Sequence, residues 1–316
     1  NGTTTGVQLD GATGTLANSL SGNGVVGIQG ASAVTLSGDN SGFGGTFTTD
    51  INSSLTAGTA QHLGTAAISN DGALVLDSAT DWTFNNVVSG GGTLEKSGTG
   101  NLSIGSSNTY TGGTTVSAGT LTLTNAQGAG TGTATIAAPG TLAVNLTGGN
   151  FSNAIDNSGL LTLSGAGNTL SSAITGSGTN QISATDLVIS GDSSAFTGVW
   201  DLASGSSSTV AAAQNLGAGS VLLNGTLNVT PASGDFAFDN ALTGQGAMNV
   251  AMATAADRFS LSAGSGNAFA ERRHHAAGNE DEGSRGAGGV HVGSGSLESD
   301  SLPGCVRRGD LPRARI

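Results

Sequence analysis

Two stretches of this chain overlay without a gap at an offset of 153 residues. Gly38-Asp39 falls on Gly191-Asp192, Phe43 on Phe196, Leu63-Gly64 on Leu216-Gly217 and Leu74 on Leu227. A register held that long gives each residue a fixed structural address, which a disordered linker has no reason to keep. A shorter pattern, apolar-[Ser/Thr]-Gly-x-Gly, occurs four times. Its copies are Leu20-Ser21-Gly22-Asn23-Gly24, Val88-Ser89-Gly90-Gly91-Gly92, Ile174-Thr175-Gly176-Ser177-Gly178 and Leu242-Thr243-Gly244-Gln245-Gly246. One aromatic follows each copy, at Phe43, Tyr110, Phe196 and Phe269, and these lie 67, 86 and 73 residues apart. In the first three copies a glycine comes two residues later, at Gly45, Gly112 and Gly198. Four imperfect copies of one unit restrict the fold to an array in which like units stack.

Inside the units apolar residues alternate with small polar ones, as in Thr120-Leu121-Thr122-Leu123-Thr124 and Gly225-Thr226-Leu227-Asn228-Val229. Period-2 alternation bounded by Gly, Asn and Ser marks short strands with sharp turns, and no stretch sustains a helical period. The expected class is all-β. Propeller blades of ~40–45 residues usually carry more aromatics than the 4% present here. We read each unit as three or four coils of ~20 residues in a right-handed parallel β-helix (β-solenoid), with coils pairing at a spacing of ~4.8 Å. Roughly thirteen coils would make a rod about 60 Å long. Inward Leu, Val and Ile are expected to stack on their equivalents. Gly and Asn are expected at the turns, because both tolerate positive φ.

Residues 1–270 contain two bases, Lys96 and Arg258, against fourteen acids, and so hold the whole net charge of −12. Such a body is a poor partner for nucleic acid, whose phosphates need clustered Lys and Arg, and for an anionic membrane surface. No apolar run approaches the ~20 residues of a spanning helix. With neither Met nor a signal peptide at Asn1, the chain is expected to be an excised fragment. Cys is absent from residues 1–270, so stability must come from many repeated contacts rather than from disulfides.

Residues 90–123 read GGGTLEKSGTGNLSIGSSNTYTGGTTVSAGTLTL. This stretch resembles the passenger-associated transport repeat of autotransporter proteins. That pattern runs G-x-L-x-K-x-G-x-G-x-L-x-L, then N-x-Y-x-G-x-T-x-V-x-x-G-x-L. Lys96, Asn108, Tyr110, Gly112, Thr114, Val116, Gly119 and Leu121 fall on its characteristic positions. Phe43, Phe196 and Phe269 stand at the tyrosine's place in the weaker copies, which extend the likeness over residues 1–270. The resemblance implies a secreted passenger of an adhesin-like, self-associating family, forming a right-handed β-helix at the surface of a Gram-negative cell. It also implies a C-terminal β-barrel translocator, expected beyond Phe269 and absent from this chain. A passenger threaded unfolded through a pore has reason to lack Cys in the oxidising periplasm.

After Phe269 the unit breaks off. Tyr110-Thr111-Gly112 and Phe196-Thr197-Gly198 have their counterpart in Phe269-Ala270-Glu271. Residues 271–316 hold seven of the nine basic residues, three of the four His and the only Cys, Cys305. The expected division is a β-helix passenger segment, 1–270, and a disordered, atypical tail, 271–316. The tail reads as frame-shifted sequence, with a natural linker as the other reading.

Several patterns resemble chemical sites. Gly22-x-Gly24-x-x-Gly27 has dinucleotide-fingerprint spacing, but no strand–helix unit surrounds it. Gly38-Asp39-Asn40-Ser41 and Gly191-Asp192-Ser193-Ser194 resemble the surroundings of a protease serine, yet a triad needs a histidine held by an acid. The body's one histidine, His62, becomes Asn215 in the other copy. His274, His275, His291 and Cys305 match no zinc spacing, and Arg308-Gly309-Asp310 is an integrin-type tripeptide. We therefore expect no catalytic, cofactor-binding or metal-binding residues, and no cofactor. The expected function is adhesion or cell–cell aggregation through a repetitive polar face, by self-association or on a host or abiotic surface. The alternative is a passive stalk and folding module presenting another domain. A β-helix polysaccharide-degrading enzyme is the third reading; it could run on two carboxylates, but the acids here are scattered among turn residues.

Overall fold

The computed structural model describes residues 6–261, 268–269 and 289–293. Over these the chain winds as a parallel β-solenoid of about 13 turns with almost no helix. An early turn takes one strand from a five-stranded sheet, one from a nine-stranded sheet and one from a ten-stranded sheet. Val88–Ser89, Thr93–Ser97 and Asn101–Ile104 make one such turn. From Asn150–Phe151 onward, a seven-stranded sheet takes the place of the five-stranded one in the coil order. Paired residues are 19 to 21 positions apart along most of the rod, matching the ~20-residue coil expected from the alternation. The spacing widens to 23 for Phe236 with Phe259 and 25 for Thr243 with Ala268.

Alternation gives each strand an inward and an outward set, and parallel pairing stacks each set into columns. Leu36, Ala57, Leu76, Lys96, Val116, Ile136 and Asn157 form one inward column of the nine-stranded sheet. All seven are buried. Each large aliphatic in such a column contributes roughly 1.5–3 kcal/mol by leaving water.

The turns differ from expectation in one respect. Left-handed backbone falls on glycines and on Ala31 and Asp186, and on no asparagine among the described residues. The corner asparagines are there for their amides, which bond to backbone carbonyls as described below.

The gapless copies do not sit on the same side of the rod. Thr46–Thr49 belongs to the five-stranded sheet, whereas its counterpart Val199–Leu202 belongs to the ten-stranded sheet, two places on in a three-place coil. Ser54–Ala57 and Ser207–Val210 are displaced in the same sense, from the nine-stranded to the seven-stranded sheet. Every side of the coil makes the same parallel ladder with the turns above and below, so a unit can be placed on any of them.

The expectation of a disordered tail over residues 271–316 falls outside the described residues, apart from Gly289–Gly293. That short strand pairs antiparallel with Ala247–Ala251.

Candidate functional site

The residues singled out in 90–123 fall into two groups, one at each end of the paired strands Thr93–Ser97 and Thr114–Val116: Asn108, Tyr110, Gly112 and Thr114 at the start, and Lys96, Val116 and Gly119 at the end, with Leu121 in the strand that follows. Lys96 occupies an inward position between Leu76 and Val116 and is fully buried. Its Nζ donates to Ser97 O and Gly98 O at 2.8 Å and to Ala118 O at 3.0 Å, in its own turn and the next. Burial lowers its pKa from the ordinary lysine value, and the Asp77 carboxylate acts the other way. Gly119 has φ 62°, and a Cβ there would lie 2.9 Å from the ammonium. Glycine at this position therefore supplies both the turn conformation and the room for Lys96.

Tyr110 is buried and its hydroxyl lies 2.6 Å from Thr114 Oγ1, which donates to Ala129 O at 2.9 Å. Burial holds the phenol well above its ordinary pKa. Asn108 links three turns, accepting from Val88 N and donating to Gly128 O, each at 2.8 Å. Gly112 lets two turns approach closely, since a Cβ there would meet Gly92 O at 2.5 Å. Val116 and Leu121 are buried in adjacent columns. Phe43 and Phe196 are buried and pack edge-on against Phe47 and Trp200, with ring centres 5.0 and 5.5 Å apart. The backbone of Phe269 pairs with Gly244.

One structural group escaped the sequence reading. Asn86, Asn153 and Asn240 each donate from Nδ2 to two carbonyls of the preceding turn, two residues apart: Gly64 and Ala66, Gly130 and Gly132, Gly217 and Gly219. A signal was present. Asparagine stands two residues before the apolar residue of the repeated pattern at Asn18, Asn86 and Asn240, with Ser172 in the remaining copy.

Among the patterns that resemble catalytic sites, Asp39 and Asp192 prove to be turn residues. Their carboxylates accept from Ser41 N and Ser194 N, both at 3.0 Å. Those hydrogen bonds hold both carboxyls below the usual aspartate pKa. Gly22 lies at a bridge to Phe43, followed by the strand Val25–Gln29 rather than by a helix. The side chains of His274, His275, His291, Cys305 and Arg308-Gly309-Asp310 lie outside the described residues.

His62 lies in a short helix, Ala60–Leu63, that ends at Gly64. Its Nδ1 accepts from Gly58 N at 3.1 Å, and burial lowers its pKa. Asn215 has the same role in the other copy, accepting from Ala211 N at 3.1 Å and Ala212 N at 2.8 Å without a group that titrates. A histidine whose folded pKa is lowered binds its proton first in the unfolded chain. Stability is therefore complete above about pH 6.5 and falls as pH drops through the folded value. The melting temperature is expected to fall between about pH 7.5 and about pH 5.5, and the fall should be smaller in His62→Asn. Equal slopes for the two proteins would refute this role.

A family model described as the passenger-associated transport repeat matches residues 94–123. Residues of the chain are also 53% identical over 58 positions to the BmaC autotransporter adhesin of Brucella suis biovar 1 (strain 1330), covering 18% of this chain and 2% of that protein. The repeat and this likeness support an autotransporter passenger segment. The passenger shares 37% identity over 109 residues with the uncharacterized lipoprotein YdeK of Escherichia coli (strain K12), covering 34% of this chain and 8% of YdeK. A further relative, the uncharacterized protein YuaQ of the same strain, is 43% identical over 68 residues, 22% of this chain and 5% of its own. The passenger thus spans less than a tenth of the curated relatives it matches. No solved structure matches it. Its location is the cell surface or the medium beyond.

The passenger's ten-stranded face presents two outward columns side by side. One runs Thr83, Ser103, Thr122, Ala143, Thr162, Gln181, Asp201. The other runs Asn101, Thr120, Thr141, Leu160, Thr179, Val199. From Asn101 to Gln181 neither column contains a charged residue.

Proposed function

We propose that this passenger segment acts in adhesion, without enzymatic activity, holding cells to one another or to a surface through the repetitive polar face of the rod. The observation that carries the reading is the uncharged double column between Asn101 and Gln181, on a body whose net charge of −12 elsewhere opposes close approach. Each neutral hydrogen bond across such a contact contributes only about 1 kcal/mol. A flat ladder in register multiplies them, and many copies per cell add avidity. Salt screens the remaining like charge, so self-association is expected to strengthen up to moderate ionic strength.

Display tests this. Residues 1–270 would be fused to an unrelated autotransporter barrel, with surface exposure matched by antibody, and cell settling compared with the barrel alone. Faster settling, enhanced by salt up to about 0.15 M, is the expected result. Unchanged settling at equal exposure would leave the stalk reading in its place. That second reading has its own support, because the chain spans so little of its relatives that most of a comparable parent would lie outside it.

A further inference from the structure

Where the ten-stranded face would have another strand, the chain instead forms the short helix Ala60–Leu63, and the wall of the rod steps back. A cleft of about 370 Å³ opens there, with Ser41 from the turn before and Thr83 and Asn85 from the turn after at its edges. Its floor is braced from both sides. Asn40 N donates to Gln61 O at 2.8 Å and Asn40 Nδ2 to His62 O at 2.6 Å. From the next turn, Asn86 Nδ2 reaches Gly64 O at 3.2 Å and Ala66 O at 2.7 Å. A ligand would find this floor already ordered, which spares the cost of arranging it on binding.

The walls carry two amides, Gln61 and Asn85, and three hydroxyls, Ser41, Thr65 and Thr83, all exposed. No charged side chain lines the cleft. A volume of this size lies within the range of small-molecule sites. An amide offers a donor and an acceptor side by side, the pairing that adjacent sugar hydroxyls require. A carboxylate or phosphate would meet no counter-charge here.

The second copy supplies an internal comparison. Its framework is the same: Ser193 N donates to Gln214 O at 2.8 Å, and Asn240 Nδ2 reaches Gly217 O and Gly219 O. Aligning Phe84 with Phe238 and Asn86 with Asn240 fixes the remaining positions. Ser194 and Gln214 repeat Ser41 and Gln61, but Thr65, Thr83 and Asn85 are replaced by Ala218, Ala237 and Asp239. These outward positions are not needed to build the corner, since the corner forms in both copies. Only the first copy has the full set of neutral hydrogen-bonding groups.

We propose that the cleft over Ala60–Leu63 is a binding site for a neutral sugar, held by the amides of Gln61 and Asn85 and the hydroxyls around them. The cleft adjoins the outward column at Thr83 but lies outside its stretch from Asn101 to Gln181 that carries the lateral contact proposed above, so either reading can fail alone. The test uses the purified 316-residue chain on immobilised neutral oligosaccharides ending in glucose, galactose, mannose or N-acetylglucosamine, with sialylated counterparts beside them. At least one neutral glycan is expected to bind and to be competed off by the free sugar. The triple substitution Thr65→Ala, Thr83→Ala, Asn85→Asp carries residues that the second copy already tolerates. It should weaken binding at least tenfold with the melting temperature unchanged, and Gln61→Ala should weaken it likewise. Binding to no neutral glycan, binding only to sialylated ones, or neutral binding that survives both variants would overturn the proposal.

Discussion

Lys96→Met is expected to destabilise the corner around residues 94–119 by about 2–4 kcal/mol, although the alternation of its strand invites an apolar residue. The neighbours in its column are Leu76 and Val116, so methionine suits the volume and removes a buried charge. Exchanging a buried ion pair for apolar residues is often neutral. Here the partners are backbone carbonyls, which cannot be mutated away with the lysine. Ser97 O also accepts from Ser78 N at 3.0 Å, but Gly98 O and Ala118 O would lose the ammonium bond described above. A hydrogen bond to a charged group contributes about 1.5–3 kcal/mol; both acceptors sit in half-buried residues, which puts each of the two losses toward the low end of that range. Hydrogen exchange reads the effect locally, which suits a rod whose turns depend chiefly on their neighbours. Faster exchange at residues 94–98 and 116–120, with remote turns unaffected, is the expected pattern. Exchange indistinguishable from the parent would show that the three bonds contribute nothing.

Trp200→Ala should cost about 3–5 kcal/mol, the range for removing a large buried aromatic. Trp200 is fully buried, stands edge-on to Phe196 at 5.5 Å, and donates from Nε1 to Leu216 O at 2.9 Å. The other copy shows which part of this can be spared. Phe47 occupies the equivalent place beside Phe43 with no ring N–H to donate. Trp200→Phe should therefore retain the packing and lose one hydrogen bond, a cost of about 1 kcal/mol. Denaturant titration of the three proteins would check the order, and an alanine variant no less stable than the phenylalanine one would contradict the packing argument.

Much of the architecture was legible in the chain. Alternating Leu, Val and Ile with Ser and Thr fixes which residues face inward, because a strand has a side-chain period of two whatever it pairs with. The recurring glycines and the gapless overlay of residues 38–74 on 191–227 set the unit. The coil of ~20 residues followed from them. The resemblance at Lys96, Tyr110 and Gly119 named the family that the repeat model then matched.

Other features depended on which residues become neighbours across turns, a relation that no local pattern states. The partners of Lys96 lie one, two and 22 residues away, and the clamps of Asn86, Asn153 and Asn240 reach back 20 to 23. Asparagine was read as a residue tolerant of positive φ, when its amide was what the corner used. The step of two sides between the copies was also hidden. Sequence identity records how a unit bonds to the turns above and below it, and that environment is alike on every side of a parallel solenoid. The side a unit occupies is set by the summed length of the turns between copies, and only the wound chain expresses that length as an angle. The cleft beside Gln61 arises in the same way, from a strand's place in the ladder being taken by a helix that the turns on either side hold in position.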